Sequence, residues 1–116
     1  DVADKIIHML KGAMKELRVA EPFQIKTDVG PVIDAKAKAQ LMEHIEWLEK
    51  YAKKHGQVEL DSNLKGHFVA PCMYEIHSLN QLAKEHFGPV LHIIRFEANQ
   101  LDKIIDDIHH SGYGLT

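Results

Sequence analysis

The sequence predicts an α/β fold containing part of a parallel sheet. Three observations carry that expectation. Apolar residues at helical spacing fill residues 2–17 and 35–52, a nearly unbroken apolar run occupies residues 90–96, and a further helical stripe follows that run. At 116 residues and 45% hydrophobic content, the chain has enough apolar material for one compact core and too little for two. Residues 1–116 are therefore read as a single unit.

The first stripe, Val2, Ile6, Met9, Leu10, Ala13, Met14 and Leu17, falls at spacings of three and four and predicts an amphipathic helix. Met9 and Met14 read as core filler rather than as a pliable binding groove. Residues 18–31 hold Pro22, Gly30 and Pro31 without a sustained period and predict a long connecting loop. Asp34 suits an N-cap for a second helix running through Ala35, Ala39, Met42, Ile45, Leu48 and Ala52. Gly56 is its expected end, with Lys50, Lys53, Lys54 and His55 crowding the last turns where positive charge complements the helix dipole.

Residues 57–60 alternate like a short strand, and Asp61, Ser62, Asn63 and Gly66 form a turn. Weak strands are expected at residues 67–70 and 73–76, interrupted by Pro71. Ser78 is the expected cap of a short helix through Leu79, Leu82 and Ala83 that delivers Glu85 to a break at Gly88-Pro89. The run Val90, Leu91, Ile93, Ile94 and Phe96 suits a strand covered on both faces. Asn99 is the expected cap of a last helix, with Leu101, Ile104, Ile105 and Ile108 inward and Asp102, Lys103, Asp106 and Asp107 outward, ending before Gly112.

The net charge of −3, with Lys and Arg scattered, gives no basic stripe of the kind nucleic acid requires. No apolar run approaches membrane-spanning length. Cys72 has no second cysteine to pair with, which fits a reducing compartment; a soluble, cytoplasmic protein is expected. The chain opens at Asp1 without a methionine, and Tyr113-Gly114-Leu115-Thr116 breaks off where a strand would be starting. Both features predict a piece truncated at both ends from a larger domain.

The stretch Glu85-His86-Phe87-Gly88-Pro89-Val90 stands out chemically. Gly permits positive φ and Pro lacks a donor, so the chain must break there and present a carboxylate and a ring at the mouth of a strand. In α/β folds that crevice is where ligands bind, and such a pair suits the hydroxyls and flat ring of a nucleotide. The alternative is a solvated helix-end Glu85 and a core Phe87. Nine histidines invite a metal reading, but none pair at i and i+4 on one helix, and they read as dispersed structural or surface residues. Cys72 follows Pro71 with no helix N-terminus beside it to lower its pKa and reads as an inert packing residue. G-x-G-x-x-G, G-x-x-x-x-G-K-[ST] and G-x-S-x-G are all absent, so no catalytic or metal-binding residue is assigned.

The same six residues resemble the E-x-F-G-P-V signature of the NAD(P)-dependent aldehyde dehydrogenase superfamily. The likeness runs along the chain: Gly66-His67-Phe68-Val69-Ala70-Pro71 resembles G-[YF]-[FV]-[VI]-x-P, Ser111-Gly112-Tyr113-Gly114-Leu115-Thr116 resembles [ST]-x-Y-G-L, and Gly30-Pro31-Val32-Ile33 resembles G-P-[VL]-[IV]. Residues 10–19 and 27–39 look most like the bifunctional proline utilization A proteins, which carry a proline dehydrogenase and an L-glutamate γ-semialdehyde (1-pyrroline-5-carboxylate) dehydrogenase on one polypeptide.

That resemblance implies a fragment of a three-layer α/β/α catalytic domain, in which Glu85 holds the nicotinamide-ribose hydroxyls of NAD and Phe87 packs near the nicotinamide. His86 departs from the usual aliphatic residue. The family's nucleophilic cysteine and general-base glutamate would lie before Asp1 and its oligomerisation flap beyond Thr116. Cys72, where the family usually has threonine or another residue, is not promoted to nucleophile. For the parent, the resemblance implies thiolate attack on an aldehyde, hydride transfer to NAD and thioester hydrolysis, FAD belonging to the separate proline dehydrogenase domain. The parent is expected to be a homo-oligomer and the isolated chain inactive. A stand-alone semialdehyde dehydrogenase and a non-catalytic α/β interaction module are the rival readings.

Overall fold

A computed structural model describes residues 2–112. The expected strand start at residues 113–116 lies outside the described residues, as does most of the third motif. The architecture is α/β: α1 (Val2–Glu16), α2 (Ala35–Tyr51), β1 (Lys53–Gln57), β2 (Cys72–Ile76), β3 (Val90–Ile94) and α3 (Leu101–His110), with single 3₁₀ turns at Leu79–Gln81 and Ala98–Gln100. The strands lie in the order β1-β2-β3. β2 and β3 pair in parallel, Cys72 beside Val90 through Ile76 beside Ile94, and β1 adds an antiparallel edge, so the sheet is mixed.

α2 covers one face of this sheet. Asp34 caps it, its Oδ1 accepting from the Ala37 N–H at 2.7 Å. Leu41, Ile45 and Leu48 pack onto Cys72, Tyr74 and Ile76, the alternate residues of β2 that point one way, with Val69 completing the core. The other face meets α1, where Ile7 is buried and Met14 lies against Gly56. Glu75, on that face, joins three elements. Its Oε2 lies 2.7 Å from His55 Nε2, its Oε1 lies 3.1 Å from Arg95 Nε, and Arg95 Nη2 donates to Asp4 Oδ1 at 2.7 Å. Burial works to raise the Glu75 carboxyl, but the hydrogen bonds of His55 and Arg95 outweigh it and hold it below its ordinary value.

Several elements depart from expectation. α2 ends at Tyr51 rather than near Gly56: Ala52 turns extended, its N–H still reaching Leu48 O at 2.8 Å, and Lys53, Lys54, His55 and Gly56 become strand. Pairing with β2 overrides the helical period, and the basic residues gain carboxylates there, Lys54 reaching Glu49 at 2.9 Å and His55 reaching Glu75. Gly56 is thus no helix terminator; it follows a β-bulge at Lys54/Gly56. Residues 67–70 are irregular, although Phe68 and Val69 are buried. After Ser78 there is only one 3₁₀ turn, and Gln81 Oε1, not the Ser78 hydroxyl, satisfies the N–H groups of His77 and Ser78.

Asn99 lies inside a 3₁₀ turn instead of capping α3. Met9 is exposed, not core. The inward residues expected of α3 are also uncovered, Leu101, Ile105 and Ile108 being 42–51% exposed. β3 runs only to Ile94 and forms an edge among the described residues, so Leu91 stays exposed.

Candidate functional site

The Glu85 segment runs from the 3₁₀ turn at Leu79–Gln81 to the start of β3 as irregular chain, so Glu85 sits on a loop, not at a helix end. Phe87 is 74% exposed, so its ring is not part of this segment's own core. Glu85 is exposed too and, among the described residues, its carboxylate has no hydrogen-bond or ion-pair partner. Glu85 and Phe87 line one cavity of about 160 Å³ with Ala37, Gln40 and Leu41 of α2. A bare aromatic face and an acceptor with unused lone pairs, side by side in a concavity, fit a flat ring and vicinal hydroxyls.

The loop is seated by two contacts. At its C-terminal side, Cys72 N–H donates to Pro89 O at 3.0 Å, tying the start of β3 to β2. Beside it, Gly88 is needed for room rather than for positive φ, which among the described glycines occurs only at Gly66 and Gly112. A Cβ on Gly88 would run into the Leu41 side chain, itself buried in the core. At the centre of the loop, His86 stacks on His44 of α2, ring centroids 3.5 Å apart and planes 12° apart. His44 Nε2 lies 2.8 Å from His92 Nε2 of β3.

This histidine cluster is what the sequence reading missed. Those three residues are 42 and 6 positions apart along the chain and read as dispersed; the fold brings them together. The available signal was positional: His92 alternates with Val90 and Ile94 on the face that α2 covers, and His44 adjoins Ile45 on the apolar side of α2. No set of three or more His, Cys, Asp or Glu among the described residues is arranged to hold a metal ion.

Cys72 is buried, 1% exposed, and burial pushes its thiol up to about 11. It is a packing residue. Iodoacetamide is therefore expected to leave the Cys72 peptide unlabelled at neutral pH until denaturant is added, as read by mass spectrometry; rapid native labelling would contradict this.

Residues 1–116 match the aldehyde dehydrogenase family throughout. The chain is 42% identical to the bifunctional protein PutA of Klebsiella aerogenes over its whole length, covering 9% of that protein. It is 31% identical to a 1-pyrroline-5-carboxylate dehydrogenase of Geobacillus, again over its whole length and 22% of the relative. A solved structure of a Bradyrhizobium japonicum proline utilization A variant superposes with a TM-score of 0.88 at 39% identity, over 98% of this chain and 11% of that one. The chain thus spans about a tenth of the PutA proteins it matches. With the motifs at Gly30, Gly66 and Glu85 falling within that full-length match, the chain belongs to the aldehyde dehydrogenase family, as a segment similar to the dehydrogenase module of the bifunctional PutA proteins.

Proposed function

We propose that this chain is a cofactor-pocket segment of an NAD-dependent L-glutamate γ-semialdehyde dehydrogenase within a bifunctional proline-catabolic protein. The observation that carries the reading is the pairing of an exposed Phe87 ring with an unpartnered Glu85 carboxylate in one cavity. Glu85 accepts hydrogen bonds from the nicotinamide-ribose hydroxyls, and Phe87 packs near the nicotinamide, orienting that end of the cofactor. Bound NAD supplies the hydride acceptor for aldehyde oxidation. The 1-pyrroline-5-carboxylate dehydrogenase relative supports the choice of substrate.

The same reading assigns the aldehyde-attacking residues and FAD to other parts of the parent polypeptide, leaves the isolated segment without turnover, and makes the parent a cytoplasmic homo-oligomer. No helix among the described residues is long and apolar enough to cross a membrane.

The test is Glu85→Gln in the full-length protein that carries this segment. A hydrogen bond to a charged group contributes about 1.5–3 kcal/mol, so kcat/KM for NAD with glutamate semialdehyde should fall about 10- to 150-fold. Unchanged NAD kinetics would overturn the role of Glu85. Absence of semialdehyde turnover in the unmutated full-length protein would overturn the substrate.

A further inference from the structure

His44 is a polar side chain where α2 is otherwise apolar, only 7% exposed. Its imidazole meets three elements at once. It stacks on His86 of the loop, lies within hydrogen-bond distance of His92 on β3, and lies parallel to Trp47 of its own helix with centroids 6.0 Å apart. His86 is the residue between Glu85 and Phe87, so whatever holds its ring holds both neighbours.

The geometry points to a proton-sensitive latch: His44 and His92 grip His86 while the imidazoles are neutral, keeping Glu85 and Phe87 in place, and let the loop go as protons enter the cluster. This rests on the reading of Glu85 and Phe87 as cofactor contacts; His44 and His86 are positioning residues within it.

The chemistry is that of imidazoles in contact without an acid. A bond between two ring nitrogens needs one of them unprotonated to accept. The His44–His92 bond therefore survives one added proton and not two, and the 3.5 Å stack of His44 on His86 brings like charges together if both rings are protonated. Among the described residues, no carboxylate hydrogen-bonds to any of the three rings.

The other titratable groups facing the cluster are Lys84 and Glu85 on the loop, Glu43 on α2 and Tyr74, which lies beside His92 in the β2–β3 register. Lys84 opposes a further positive charge on His44 and His86. Burial, then the charges of His86, His92 and Lys84, pulls His44 down to about 4; burial is also the first cause lowering His86 and His92. A histidine depressed in the closed arrangement and ordinary in the open one favours closure fully above its ordinary value near 6.5. That preference is lost as pH falls below it. Cofactor affinity scales with the closed fraction, so it declines with acid.

The experiment is NAD titration by calorimetry of the full-length protein carrying this segment, at steps from about pH 8 to about pH 5.5. Over that range Kd for the unmutated protein should rise by about threefold or more, and His86→Leu should flatten the profile. If His86→Leu is not recovered folded, His44→Gln, which removes the buried titrating ring, takes its place with the same expectation. A flat profile in the unmutated protein overturns the latch while leaving the cofactor reading intact. An equal acid loss in the variant overturns it as well, by showing that the loss does not pass through the His44–His86 contact. No NAD binding at the alkaline end overturns the cofactor reading, and the latch with it.

Discussion

Leu48→Ala is expected to lower the unfolding free energy by about 2–5 kcal/mol. Leu48 is fully buried at the centre of the α2 face, in a cluster with Leu41, Ile45, Cys72, Tyr74 and Ile76. Truncation removes the transfer free energy of three carbons and leaves a void between a helix and a sheet whose spacing the surrounding large side chains maintain. Leu48 sits one helical turn beyond His44 on α2, so the loss also loosens the platform under the Glu85 loop. The check is the urea midpoint and slope of the protein carrying the substitution; a loss below about 1 kcal/mol would mean that the face repacks freely.

Gly88→Ala is the second large effect, and it acts on the site directly. The added methyl enters the Leu41 side chain, which is 3% exposed and belongs to the core. Either Leu41 is displaced within the core or the loop lifts, and overpacking of this kind costs about 1–3 kcal/mol. Since Phe87 is the preceding residue, lifting the loop moves the ring out of the cavity shared with Ala37 and Gln40. NAD affinity should therefore fall about tenfold or more, together with thermal stability. Wild-type NAD affinity with unchanged stability would show that Gly88 is not packed as described.

What the sequence revealed, and what it hid, divides along physical lines. Signals that act within a few residues were readable: the extent of α1, the Asp34 cap, the apolar strand starting at Val90 and the end of α3 before Gly112 each appear as expected, although α1 buries Ile7 and leaves Val2, Ile6 and Met9 of its expected stripe exposed. Signals that depend on a partner far along the chain were not. Lys53, Lys54 and His55 look like a helix end because nothing nearby shows that Glu75, twenty residues beyond His55, draws that stretch into a sheet. The apolar stripe of α3 shows how a helix wants to be covered, and cannot show that Leu101, Ile105 and Ile108 remain open. Glu85 and Phe87 could be singled out in the sequence as an exposed pair beside the Gly88-Pro89 break. Their support by His44 and His92 could not be, since it requires knowing which helix lies over which strand.

The bulge at Lys54/Gly56 has a consequence for ancestry. Lys54 faces Glu49 on α2 as ordinary strand alternation requires, but the extra residue at the bulge leaves His55 and Gly56 both on the α1 side, towards Glu75 and Met14. In a regular strand, one inserted or deleted residue would turn every later side chain over. At a bulge the extra residue is taken up or released locally. The junction between α2 and the sheet is thus a place where chain length can drift between descendants without disturbing the faces on either side.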